Sequence, residues 1–126
     1  MNRLQHFIFI GAVNGFLAVA LGAFAAHGLK GLLSHGMLDI FQTGVDYQAT
    51  HALALLLVGL LGNHSNHRSL GYAGWAFATG ILLFSGSLYL LAVTDIRWLG
   101  AITPVGGTLF LFGWAALAWY GFRKDA

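Results

Sequence analysis

"DYQATHALALLL", Asp46–Leu57, sets five polar side chains (Asp46, Tyr47, Gln48, Thr50, His51) directly against a leucine-rich block. The apolar run that follows, Ala52–Leu61, stops at Gly62-Asn63. Such a run rises ~15 Å as a helix, half of the ~30 Å hydrocarbon core of a bilayer. A helix that crosses here must take in the polar residues before it. At ~1.5 Å per residue, His51 lies ~16 Å and Asp46 ~24 Å from Gly62, so His51 sits near the midplane and Asp46 under the outer interface. Ionisable groups at that depth are costly and favour the interior of a bundle. The stretch therefore predicts a membrane helix with a buried polar seam.

The composition agrees. Of 126 residues, 58% are hydrophobic and 8% charged, with six basic and four acidic side chains. A water-soluble domain carries roughly a quarter charged residues to cover its surface, so this chain belongs in a bilayer. A net charge of +2 from scattered residues excludes a nucleic-acid partner. There is no cysteine, which removes disulfides, thiolate metal sites and thiol nucleophiles. The length suits a single transmembrane domain.

Working outward, four spans are expected, at about 7–26, 43–61, 70–93 and 104–122. "AFA" at Ala23–Ala25 offers a rival cleavage-signal reading of the first span, against which stands the length of its apolar run. Gly28 is the expected helix stop after it. Met37–Leu61 reads as one helix whose first half is amphipathic. Asp39, Gln42, Thr43, Asp46 and Thr50 share a polar stripe, and this lead-in suits the headgroup region, with Gly44 as a bend. Ser69 is the expected N-cap of the third span, and Thr103 and Pro104 the N-cap and first residue of the fourth. The fold class is all-α, an integral membrane four-helix bundle. Arg3, Arg68, Arg123 and Lys124 share one end against Lys30 and Arg97 at the other, which predicts cytoplasmic termini in the inner (plasma) membrane. Tyr72, Trp98, Trp119 and Tyr120 fall at span ends, where aromatic rings anchor.

The same depth arithmetic nominates partners for the seam. Asn14 and Thr79 fall near the His51 level; Ser85, Ser87 and Thr108 fall near the Asp46 level. Gly11, Gly15 and Gly22 on the first span, with Gly71 and Gly74 on the third, are the expected packing faces, because small residues let helix backbones approach in lipid. They serve contacts within the chain, a homo-oligomer or a larger membrane complex.

Four stretches together carry a resemblance: "LGAFAAHGLK" at 21–30, "FQTGVDYQATHALALL" at 41–56, "FSGSLYLLA" at 84–92 and "ITPVGGTLFLFGW" at 102–114. They resemble the YgdD/YwdK-like family of small bacterial membrane proteins, domain of unknown function 423, itself similar to eukaryotic transmembrane protein 256. The first motif departs slightly, with Ala25-Ala26 before His27 where a glycine is expected first. The resemblance implies a four-helix membrane protein that keeps its first span. It brings no activity and no catalytic residues, and it draws attention to His27, Lys30, Asp46, Tyr47, Gln48 and His51.

The chemical candidates have two readings each. His51 is a proton relay or a ligand to metal, haem or quinone, or else a neutral histidine bonded to Tyr47 or a neighbouring helix. Asp46 is a coupling carboxylate or a partner of Lys30. His27 with His51 is the pair from different helices suited to haem or metal, but it lacks a third ligand. His64 and His67 read as solvated loop residues. Gly106-Gly107 has neither the strand nor the lysine of a phosphate loop and reads as close packing. With no nucleophile–base set and no paired carboxylates, the leading expectation is a non-enzymatic accessory or assembly component without a cofactor, acting through helix contacts in the lipid bilayer. The alternative is a binding or transport element whose Asp46–His51 seam holds a proton, a lipid head group or a redox cofactor.

Overall fold

The computed structural model describes residues 4–123. It is all-α: α1 spans His6–Phe24, α2 His35–Leu61, α3 Arg68–Thr94 and α4 Thr103–Phe122. All four, with their flanking turns, are long and apolar enough to cross a membrane. The α2–α3 pair forms the centre. In contrast, α1 buries Phe7, Gly11 and Ala18, and α4 buries Gly106, Phe110 and Gly113. The outer faces of α1 and α4 stay apolar and exposed, with Phe16, Val19 and Leu111 each above 70%. Such faces suit lipid rather than water.

Each sequential helix pair meets at a glycine. A Cβ on Gly11 of α1 would lie 2.8 Å from the Ala52 carbonyl oxygen of α2. One on Gly106 of α4 would lie 2.4 Å from the Phe84 nitrogen of α3. Between α2 and α3, Gly44 leaves room for the Tyr89 ring, and its carbonyl accepts a 2.7 Å hydrogen bond from Ser85. Backbones this close gain van der Waals contact that lipid cannot replace.

The connections depart from the sequence expectations for local reasons. The first span does not stop at Gly28: it continues as a π-helical turn over Ala25–Leu29, and the left-handed residue is Gly31, with φ 89°. Ser34 caps α2 by accepting from the Met37 N–H at 3.2 Å. From there α2 is one unbroken α-helix. Gly44 therefore supplies a contact with α3 instead of a bend. The cap of α3 is His67, not Ser69: its Nδ1 accepts from the Ser69 N–H at 3.2 Å, and the Ser69 hydroxyl turns back onto the same ring nitrogen. α3 ends at Asp95 in the left-handed conformation, φ 58°. A short 3-10 turn, Arg97–Ala101, then runs straight into α4. Thr103 is already helical, which frees its hydroxyl to meet Ser87 of α3 at 2.6 Å.

Two apolar clusters fill the bundle. One, near the α2–α3 loop, gathers Phe7, Leu55, Val58, Leu70 and Phe77. The other, near the α1–α2 loop, gathers Ala25, Leu29, Phe41, Val45 and Ala92. The polar side chains of α2 lie between them along the helix. Arg68 and Arg123 stand at one end of the molecule, and Lys30 and Arg97 at the other. Arg3 and Lys124 lie outside the described residues.

Candidate functional site

Helix geometry divides the expected seam. Consecutive residues of a helix turn by about 100°, so Gln48, His51 and Asp46 leave α2 in three directions. Gln48 faces α1 and α3. His51 faces α3 and α4. Asp46 points away from the bundle.

His51 is 3% exposed and its hydrogen bonding is complete. Its Nδ1 lies 2.8 Å from the Tyr47 carbonyl, and the indole N–H of Trp114 on α4 donates to Nε2 at 3.0 Å. An indole nitrogen can only donate, so Nε2 offers its lone pair and Nδ1 carries the proton. The two bonds together select one neutral tautomer. The ring also stacks on Phe110, with 3.6 Å between centroids and 9° between planes, and Tyr47, Phe77 and Trp114 close the cage. Both ring nitrogens are thus engaged by the protein itself.

Gln48, 4% exposed, is the centre of a second group. It donates from Nε2 to Asn14 Oδ1 of α1 at 2.9 Å. Its Oε1 accepts from the Tyr89 hydroxyl of α3 at 2.6 Å. Asn14 donates in turn to the Ile10 carbonyl at 2.9 Å. A chain of side-chain bonds thus ties three helices together across an apolar interior.

Asp46 is exposed and accepts from Gln42, one turn earlier, at 2.9 Å. The expected pair with Lys30 does not form. Among the described residues the ion pair is Asp95–Arg97, at 2.9 Å on the surface. Lys30 is exposed just after the π turn, whereas Asp46 is exposed on α2 and bonded to Gln42. His27 sits exposed on the π turn, while His51 is enclosed against α4. The two therefore do not face a common site. No group of three or more His, Asp or Glu side chains fit to hold a metal occurs among the described residues.

The other expected partners divide as well. Ser85 and Ser87 are buried and bond to backbone carbonyls, Ser85 to Gly44 and Ser87 to Phe84. Thr79 and Thr108 return their hydroxyls to their own helices, at Trp75 and Pro104, and join no seam. Tyr47 is 44% exposed and packs its ring on Phe84 and Phe110. Of the glycines, Gly11 and Gly74 touch neighbouring helices and Gly22 lies 3.3 Å from Val45, each measured from an added Cβ. Gly15 and Gly71 would meet nothing within 4 Å.

Sequence reasoning missed Tyr89 and Trp114. Both are donors within long apolar runs, and a depth count on α3 and α4 reaches them. Aromatic rings in membrane helices usually signal packing or interface anchoring, and that prior hid them.

Four apolar helices joined by hydrogen bonds between their side chains define a small multi-pass membrane protein. Comparison with known proteins places it further. The family model described as "Protein of unknown function (DUF423)" matches residues 21–107. The UPF0382 membrane protein YwdK of Bacillus subtilis (strain 168) is 51% identical over 112 residues, covering 88% of this chain and 91% of its own. A UPF0382 membrane protein of Staphylococcus epidermidis is 49% identical over 114 residues, covering 90% and 93%. One from Staphylococcus aureus (strain bovine RF122 / ET3-1) is 46% identical with the same coverage. No solved structure matches. The chain belongs to the DUF423 family of membrane proteins, a family of unknown function.

Proposed function

We propose that this is a non-enzymatic accessory or assembly subunit of the inner (plasma) membrane, which works by docking the outward face of α2 on a membrane partner, either a second copy or another protein. One observation carries the reading. Gln42, Thr43, Asp46 and Thr50 form an exposed polar stripe on α2, and Asp46 lies ~24 Å along the helix from Gly62, inside a ~30 Å core. A carboxylate facing lipid at that depth is costly, and a covering helix removes the cost. Beside the stripe, α1 and α2 enclose a shallow apolar groove of about 400 Å³ floored by Gly15, Ala18, Ala49 and Ala52. Small residues of that kind admit another helix closely. The absence of an enzymatic role is supported by the bonding of the interior: His51, Ser85 and Ser87 all spend their polar atoms on the fold.

Native mass spectrometry after gentle detergent extraction tests this. The expected result is a stoichiometric complex that dissociates in Gly15→Phe and in Asp46→Leu. Gly15 has open space around it, so the phenylalanine blocks a partner without breaking the bundle. A wild-type protein that runs as a bare monomer sinks the proposal.

A further inference from the structure

We propose that a second, separate site lies on the opposite flank of α2: a lateral groove between α1 and α3 that binds the ring of an isoprenoid quinone. The groove measures about 430 Å³. Its walls are aliphatic, from Leu17 and Leu21 on α1 and Ile81 and Leu82 on α3, and its floor is the Asn14–Gln48–Tyr89 chain. Leu17 and Leu82 are 40% and 71% exposed, so the mouth faces the hydrocarbon sideways.

Hydrogen-bond counting calls for an acceptor. A carboxamide has two N–H donors. Gln48 uses one on Asn14, and Asn14 uses one on Ile10. The second hydrogen of each amide is unmatched by the protein, although Gln48 is 4% exposed and Asn14 is half-buried. Tyr89 donates to Gln48 and keeps its oxygen lone pairs. Buried donors left without acceptors are costly, and water is scarce at this depth. A carbonyl oxygen entering the groove would accept from both amides.

Depth narrows the class. Gln48 stands ~20 Å along α2 from Leu61, and therefore ~10 Å beneath the far edge of a ~30 Å core. Phospholipid ester carbonyls lie at the interface, above that level. A fatty acid would have to bring its carboxyl down uncharged. A quinone ring is neutral, flat and soluble in hydrocarbon, and it carries its carbonyls on the ring. Gly86 supplies the width for it: a Cβ there would meet nothing within 4 Å, as at Gly71 near the start of the same helix, whereas Gly74 and Gly80 are packed against neighbours. Gly86 is the one glycine among the residues lining the groove, so a side chain there would narrow it.

The experiment uses the full chain in phosphatidylcholine nanodiscs, with menaquinone-4 as probe and native mass spectrometry as readout. The wild type should retain one quinone per chain. Gly86→Leu fills the slot and Gln48→Leu removes the amide, and each should weaken retention by about tenfold or more. Gly86→Leu should melt at the same temperature as the ligand-free wild type. Should it fail to fold, Leu82→Trp narrows the mouth at an exposed position and replaces it. No retention by the wild type, or equal retention by wild type and Gly86→Leu, overturns the proposal. So does a phosphatidylcholine or oleic acid adduct that menaquinone-4 cannot displace and Gly86→Leu abolishes, since the groove would then be a lipid-tail site. The docking face of α2 is on another surface, so the two proposals fail independently.

Discussion

At the scale of single residues, His51 is held by what it touches. Its two nitrogens meet a carbonyl and an indole N–H, and its ring lies on Phe110. Removing it leaves the Trp114 donor without an acceptor inside the bundle and opens a cavity beside Phe77. His51→Ala is therefore expected to lower stability by about 2–4 kcal/mol. Trp114→Phe keeps most of the volume but strands Nε2, and about 1 kcal/mol is expected. Unfolding in mixed micelles with rising dodecyl sulfate measures both. A loss under about 0.5 kcal/mol for His51→Ala would mean that the cage does not hold the helices together. Of this site, the enclosure of His51 was legible, since counting back from Gly62 puts it well inside the span and it is 3% exposed. Its partner was not, because the direction in which a side chain leaves a helix depends on where the neighbouring helices stand.

At the scale of the elements, glycines separate into two kinds that look alike in sequence. Gly11 and Gly106 sit where another helix's backbone leaves no room for a methyl group, whereas Gly15 looks onto open space. Gly106→Ala is expected to destabilise by about 2 kcal/mol, because the backbone of α3 has to move. Gly11→Ala should behave similarly, since its Cβ would meet the Ala52 carbonyl. Gly15→Ala should be neutral or slightly stabilising in the isolated protein, as alanine favours helix by about 1 kcal/mol. The same unfolding titration ranks them. If Gly15→Ala proves as damaging as Gly106→Ala, α1 is packed differently from this arrangement. Similarly, the helix count followed from apolar run lengths, but the caps did not. Ser69 and Thr103 are good capping residues by type, yet His67 and a preceding 3-10 turn took those places. Capping is decided by local geometry at the level of one residue, and several residues at each end were chemically able to do it.

For the whole molecule, the charges at the helix ends bear on orientation. Arg68 and Arg123 mark one end, and Lys30 and Arg97 the other, where Arg97 is already paired with Asp95. With Arg3 and Lys124 of the sequence added to the first end, the positive-inside tendency makes a cytoplasmic placement of that end the expectation to test. The chain has no cysteine, so single-cysteine variants report cleanly. His64→Cys, in the exposed α2–α3 loop, should resist a membrane-impermeant maleimide in intact cells. Leu32→Cys, 77% exposed in the α1–α2 loop, should label. The reverse pattern would invert the topology and move the α2 stripe to the cytoplasmic half of the bilayer.

The membrane class, the four helices and the family are legible in the chain itself, and an expected depth for each polar residue follows from the same reading. All of these follow from composition, run length and the fixed rise of a helix, which act along one dimension. Tertiary structure alone decided which way those residues look. It closed His51 against Trp114, joined Gln48 to Asn14 and Tyr89, and turned Asp46 outward. The reason is geometric: three residues from one stretch of helix differ in azimuth, and azimuth acquires meaning only once neighbouring helices pack around it.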